Sequence, residues 1–346
     1  MATVQTVRGV ISADELGMTL PHEHLFTDLR FYWRGEPKEI SKKFLFSQPV
    51  TLENRSEVVY NTFFFKDNLL VDDVDSAIEE VKAFLGYGGS TIVDLTGGTG
   101  LGRDPVALRY VAGVTGANIV MATGRYSEPS LTEAEKAMSP DDIARAMVDE
   151  FTNGVDRTGV KPGVIGEVAI NDMKNQIEIN GLRGAARAQK KIGCALNIHP
   201  ILWETHNHEI LDILEEEGAD PNKVIFSHED FTMENLEYHD SLAKRGAYVE
   251  YDTFGCEAVA EQSEEEKWFP SDGERIRAVK KQVALGNEDR ILISGDMCFK
   301  FCFTKWGGWG YAHIPKHIVP RMKKAGITDE QIYKIMVENP KRAFAF

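Results

Sequence analysis

Val74-Asp75-Ser76-Ala77-Ile78-Glu79-Glu80-Val81 opens a segment that closes on Gly88-Gly89 and leads into Thr91-Ile92-Val93-Asp94-Leu95. Val74, Ala77, Ile78 and Val81 recur at i, i+3, i+4 and i+7, the apolar stripe of an amphipathic helix, and the paired glycines stop it. The run that follows is largely apolar with no helical period, which reads as a short strand buried on both faces. One helix feeds one strand.

That unit repeats. Short β-rich runs stand at Asn118-Ile119-Val120-Met121-Ala122, Val164-Ile165-Gly166-Glu167-Val168, Ala195-Leu196-Asn197-Ile198-His199, Val224-Ile225-Phe226-Ser227-His228, Tyr248-Val249-Glu250-Tyr251 and Ile291-Leu292-Ile293-Ser294-Gly295-Asp296, separated by helical segments. With Met18-Thr19-Leu20 at the head, the strands number eight, which predicts an α/β fold closed as a (β/α)8 TIM barrel. The chain 1–346 reads as a single barrel domain with long loops after strand 1, about 25–72, and strand 7, about 253–275. The first loop is rich in aromatics, among them Phe31, Tyr32, Trp33, Phe44, Phe46, Phe63, Phe64 and Phe65, and is expected to pack as a lid wall, a subunit interface or a satellite core. The second contains Ser263-Glu264-Glu265-Glu266-Lys267-Trp268, a charge run expected on the solvated outside of a lid.

The strand ends carry the chemistry. His22 and His24 in Leu20-Pro21-His22-Glu23-His24 stand two apart, so on an extended chain their side chains point the same way and can grip one ion. An isolated His-x-His pair means little. Here Glu167, His199, His228 and Asp296 follow, each at or near the C-terminal end of its own apolar run, the end at which this fold builds active sites. Imidazole and carboxylate are the donors that zinc, manganese and cobalt accept, so the set predicts a metal site at the barrel mouth.

A formal net charge of −15 argues against nucleic acid or an anionic membrane surface as a partner. No apolar run approaches a bilayer-spanning length, and Met1-Ala2-Thr3-Val4-Gln5-Thr6-Val7-Arg8 lacks the apolar core of a secretory signal, so a cytoplasmic location is expected. Cys194, Cys256, Cys298 and Cys302 form no Cys-x-x-Cys pair and are expected as free thiols, with Cys298 a small buried neighbour of Asp296 rather than a ligand.

Val4-Gln5-Thr6-Val7-Arg8-Gly9, Gly17-Met18-Thr19-Leu20-Pro21-His22-Glu23-His24-Leu25, Gly102-Arg103-Asp104, Gly163-Val164-Ile165-Gly166-Glu167 and the stretch from Trp306-Gly307-Gly308-Trp309-Gly310-Tyr311 through Glu338-Asn339-Pro340 closely resemble the phosphotriesterase family of the amidohydrolase superfamily, and most of all its phosphotriesterase-related branch. The resemblance covers almost the whole chain. It implies two divalent metal ions, usually zinc, with His22, His24 and Asp296 on the buried one, His199 and His228 on the more exposed one, and Glu167 bridging them. Well-studied phosphotriesterases and lactonases use a carboxylated lysine as the bridge, whereas the related branch has a glutamate, which needs no carbon dioxide to mature. Lys161 precedes Pro162 at the entrance of its strand, the wrong end of the barrel for that role.

The resemblance further implies a metal-bridged hydroxide attacking a small lactone, carboxylic ester or N-acyl amide, with Asp296 as the catalytic proton carrier. Animal members of the branch act as amidases on small N-acyl amino compounds. Organophosphate triester hydrolysis and a non-catalytic ligand-binding barrel are the alternatives, and a metal-dependent nuclease ranks last. Asp252-Thr253-Phe254 stands where the acyl-homoserine lactonases resemble one another in Asp-Arg-Tyr, so that activity is not expected. Tyr126, Trp306 and Trp309 are the expected substrate contacts. His206, His208, His239, His313 and His317 fall on helices or their starts and are expected to be structural, His313 alone standing near the last loop. A homodimer acting on a small molecule is the expected assembly.

Overall fold

Eight short strands close the ring that the repeated unit predicts. The computed structural model describes residues 2–261 and 267–346. The barrel strands are β1 (Thr19–Glu23), β2 (Thr91–Asp94), β3 (Asn118–Thr123), β4 (Val164–Ala169), β5 (Leu196–His199), β6 (Val224–Phe226), β7 (Tyr248–Tyr251) and β8 (Ile291–Ile293). They pair in chain order from β1 to β8 within one eight-stranded sheet. The seam between the last strand and the first is stitched at the mouth, where Asp296 N–H donates to the His22 carbonyl at 3.1 Å and Ser294 Oγ donates to the same oxygen at 2.7 Å.

Alternation along each strand splits its side chains between two cores. Ile92, Ile119, Met121, Ile291 and Ile293 face the helices, while Val93, Val120, Ala122 and Leu292 fill the barrel interior. Both sets are buried, which is why the strands read as continuous apolar runs. Helix α1 (Val74–Gly86) begins where the stripe predicts, its N-terminus capped by Asp73 accepting from Ser76 N–H at 3.0 Å. Further helices at Pro105–Thr115, Pro140–Asn153, Gln176–Ile192, Asn207–Glu217, Leu236–Lys244 and Asp272–Ala284 return the chain between strands.

An antiparallel hairpin, Thr3–Thr6 with Gly9–Ser12, closes the opposite end. Val4 and Leu16 join Phe344 in the interior core there, and the Phe346 N–H donates to the Thr3 carbonyl at 2.9 Å. Lys223 Nζ caps the carbonyls of Arg342 and Ala345 at 2.7 and 2.5 Å.

The first long connection is ordered by its own small sheet, Thr27–Asp28 against Leu70–Val71, and by helices at Ile40–Phe46 and Arg55–Tyr60. Its aromatics divide. Phe46 packs on Phe64 and Phe65 with ring centroids 5.6 and 4.8 Å apart, a satellite core, while Tyr32 and Phe63 turn toward the barrel mouth. Phe44 stays exposed. In the second connection the acidic part of the expected charge run, 263–266, lies outside the described residues. All four cysteines are free thiols, and all are buried, Cys298 among them as expected. Among the described residues, no helix is long and apolar enough to cross a membrane.

Candidate metal centre

The six residues singled out in the sequence meet at the mouth. His22 lies in β1 and His24 just after it, Glu167 lies within β4, His199 ends β5, and His228 and Asp296 follow β6 and β8. Glu167 is the hub: its Oε1 stands 3.1 Å from His199 Nδ1, 3.1 Å from His228 Nε2 and 3.5 Å from His22 Nε2, while Oε2 faces His24 Nε2 at 3.6 Å. Asp296 Oδ1 lies 3.1 Å from His24 Nε2 and 3.5 Å from His22 Nε2. Candidate donor groups follow from this, among them His22, His24 and Glu167 in one and Glu167, His199 and His228 in another. One carboxylate serves both.

Three imidazoles are held from behind. His22 Nδ1 lies 2.8 Å from Asp252 Oδ2, His228 Nδ1 2.9 Å from Asp252 Oδ1, and His24 Nδ1 2.9 Å from Thr96 Oγ1. With the proton committed to those acceptors, each Nε2 presents a lone pair to the centre. His22 Nε2 is buried with no hydrogen-bond partner, an arrangement that a polar atom tolerates where an ion satisfies it. The charges agree: burial opposes protonation of His22, but Glu167, Asp296 and Asp252 overcome it and raise its pKa well above the usual imidazole value. Those carboxylates hold a proton where they can hold a cation, so the donor set, the tautomers and the orphaned nitrogen all fit a metal centre.

Two of the six sit on left-handed backbone, His228 at φ 59° and Asp296 at φ 41°. Such conformations cost on the order of 1–3 kcal/mol each for a side-chain-bearing residue and persist only where neighbours enforce them. The neighbours are specific. Asp252 accepts from the His228 backbone N–H at 3.1 Å, and Glu23 accepts from the N–H groups flanking Asp296, those of Gly295 and Met297, at 2.8 and 3.0 Å. Burial pushes Glu23 up to about 7, against the pull of those N–H groups.

Asp252 and Glu23 are the residues that sequence reading missed. Asp252 follows β7 at the strand-end position that marked His199 and His228, so the same rule could have found it. Its own N–H donates to Asp230 at 2.8 Å, Asp230 pairs with the fully buried Arg275 at 2.6 Å, and Arg275 meets Asp272, which holds His313 Nε2 at 2.8 Å. His313 is therefore structural. His228 and His22 hold the Asp252 carboxyl far below the usual carboxylate range although burial opposes it. Asp252→Asn is expected to weaken metal affinity about 10- to 100-fold, read by chelator competition, because one substitution loosens two imidazoles.

A cavity of about 290 Å³ opens onto His199, His228 and Asp296. Tyr32, Phe63, Tyr126, Trp203, Phe231 and Phe299 supply its aromatic wall. Tyr126 is where the sequence places it, with its hydroxyl 3.5 Å from His199 Nδ1. Trp306 and Trp309 are corrections: neither lines the cavity. The last loop is clamped onto α1, with Thr304 donating to Glu80 and Lys305 paired to Asp73. Gly308 packs so closely on the loop that a Cβ there would stand 2.1 Å from the Cys302 carbonyl. Trp309 stacks on His313 with centroids 4.8 Å apart, and Trp306 packs on Phe303. The glycine-rich motif is a packing device that turns both tryptophans away from the pocket.

Comparison with known proteins agrees along the whole chain. The family model described as the phosphotriesterase family matches residues 2–344. N-acetyltaurine hydrolase of Xenopus tropicalis is 36% identical over 344 residues, covering 99% of this chain and 98% of that one. A phosphotriesterase-related protein of Nematostella vectensis is 37% identical with the same coverage. The crystal structure of a resiniferatoxin-binding protein from Rhodobacter sphaeroides superposes with a TM-score of 0.95 at 39% identity, over 99% of this chain and 94% of that one. The chain belongs to the phosphotriesterase family.

Proposed function

We propose that this protein is a two-metal hydrolase of small carboxylic derivatives, with N-acyl amides its first substrate class and lactones and esters behind them. The relatives matched over nearly their whole length include several named N-acetyltaurine hydrolase, which supports the reaction type. The observation that carries the reading is Glu167, whose carboxylate belongs to two candidate donor groups at once. His22, His24 and Asp296 would hold one cation, His199 and His228 the other, and Glu167 both. Two divalent ions in such a site, zinc or else manganese or cobalt, supply a water of lowered pKa and a Lewis-acid contact for the substrate oxygen.

The chain's own groups do the rest. Hydrolysis adds water across the acyl–nitrogen bond: the acyl carbon takes the oxygen and the departing nitrogen takes a proton. Asp296, whose side chain is 14% exposed and faces the cavity, accepts the water proton and delivers it to that nitrogen. The Tyr126 hydroxyl, beside His199, orients the substrate oxygen. A pocket of about 290 Å³ lies at the low end of the roughly 300–1,000 Å³ typical of ligand sites, which favours small substrates.

The test is a panel of N-acyl amino acids, lactones, carboxylic esters and paraoxon on protein of measured metal content. Turnover is expected on the amides first. A dominant paraoxon rate would replace this reading with phosphotriester hydrolysis, and no turnover by metal-loaded protein on any arm would replace it with a ligand-binding barrel.

A further inference from the structure

Arg34 is the one full cation on the cavity wall among the described residues. It stands on the first long connection, where its N–H donates to the Phe63 carbonyl at 3.1 Å, and its guanidinium lies over the Phe63 ring, 5.5 Å from the centroid. Phe63 itself lines the cavity. No carboxylate among the described residues pairs with Arg34, although the chain carries 54 acidic side chains against 39 basic ones and most of its other described arginines are ion-paired or bonded to a carbonyl. Lys267, on the second connection, makes a similar contact, with Nζ 4.9 Å from the ring of Trp203, another cavity residue.

Arg34 is exposed, and cation–ring contacts recur elsewhere on this surface, as with Lys316 over Tyr87; what sets Arg34 apart is that its ring, Phe63, and the residue itself both line the cavity. A guanidinium so placed keeps its planar fork of N–H donors free for a bidentate anion, while the ring fixes its direction. The floor of the same cavity is Asp296 with His199 and His228, so a substrate whose scissile bond reaches the floor extends its far end toward the rim. In a protein of net charge −15, that rim is the place where an anion is welcome.

We propose that Arg34 is the residue that selects substrate charge in this site, its guanidinium anchoring an anionic tail, a carboxylate or sulfonate borne by the leaving amine, so that anionic N-acyl amides of the kind named for the relatives are taken in preference to neutral ones. This rests on the hydrolase reading above and adds the charge of the substrate. Arg34 contacts the part of the molecule that does not react, so it acts on selection through KM, and Lys267 supports it through the local field.

The test compares N-acetyl-β-alanine, N-acetyltaurine and the neutral N-acetylpropylamine, on wild-type protein and on Arg34→Gln and Arg34→Lys. The wild type is expected to favour at least one anionic arm over the neutral amide in kcat/KM. Arg34→Gln should raise KM for that arm about 10-fold with kcat little changed, Arg34→Lys should recover part of the loss, and the neutral amide should shift far less. Which arm responds more separates carboxylate from sulfonate. Equal turnover of neutral and anionic amides, or a KM rise equal for both, overturns the inference while leaving the hydrolase reading intact. If no amide, ester or lactone is turned over, the hydrolase reading fails instead. The inference is then decided by calorimetric binding of β-alanine and taurine to the wild type and Arg34→Gln, where equal affinities overturn it.

Discussion

Asp296→Asn is expected to lower kcat about 10²- to 10⁴-fold, the range removed with a general acid–base group, while metal content stays close to that of the wild type. The reason is geometric. Asp296 is held in its left-handed turn by hydrogen bonds from the flanking backbone to Glu23, so an amide of the same shape occupies the same place. Its oxygen still faces His24 and can still serve as a donor. What is lost is a carboxylate able to take a proton and release it, and no other carboxylate of the cluster lines the cavity. Steady-state kinetics with elemental analysis on the same preparation checks this. Unchanged turnover would remove Asp296 from the chemistry, and loss of both metal and activity would make it a ligand only.

Glu167→Gln is expected to cut deeper, with bound metal falling to one ion per chain or fewer and turnover falling with it. Gln has one weak oxygen donor where Glu167 offers two charged ones, and both donor groups that contain Glu167 lose their shared member. The cost extends to the metal-free protein, because Glu167, together with Asp252 and Asp296, is one of the carboxylates whose charge offsets the burial of His22 and His228. His22 and His228 are then buried beside one fewer negative charge, so Tm should drop even in the presence of chelator. Wild-type protein should also lose Tm when metal is stripped, since ions that bind only the folded chain stabilise it by mass action. A variant that kept two ions per chain would end the bridging role.

The barrel was legible because its strands are buried on both faces, so Ile119–Ala122 or Ile291–Ile293 show as uninterrupted apolar runs between helical stripes. The metal-centre residues were legible for a related reason: a strand end is a fixed address, and His199 or Glu167 at such an address declares itself. Loops have no such address. Trp306 and Trp309 looked like pocket residues because they are aromatic and near the last strand, but the direction of that loop is set by Gly308 packing on Cys302 and by Lys305 reaching Asp73, contacts distant from the motif or invisible in it. Arg34 was passed over among the aromatics of its own loop for the converse reason, since only the fold brings Phe63 and the mouth to it. Asp252 stands at such a strand-end address and was missed only because it does not line the cavity with the ligands, while Glu23, also absent from that wall, acts through the turn it holds.

The hydrogen bond between Thr3 and Phe346 brings the first and last residues of this sequence together on the side of the ring away from the catalytic mouth. A tag, fluorophore or surface tether attached at either terminus therefore departs from the back of the molecule and leaves substrate entry unobstructed. The same proximity makes the backbone suitable for circular permutation, with a short linker joining old ends and new ones opened in an exposed helix-to-strand connection.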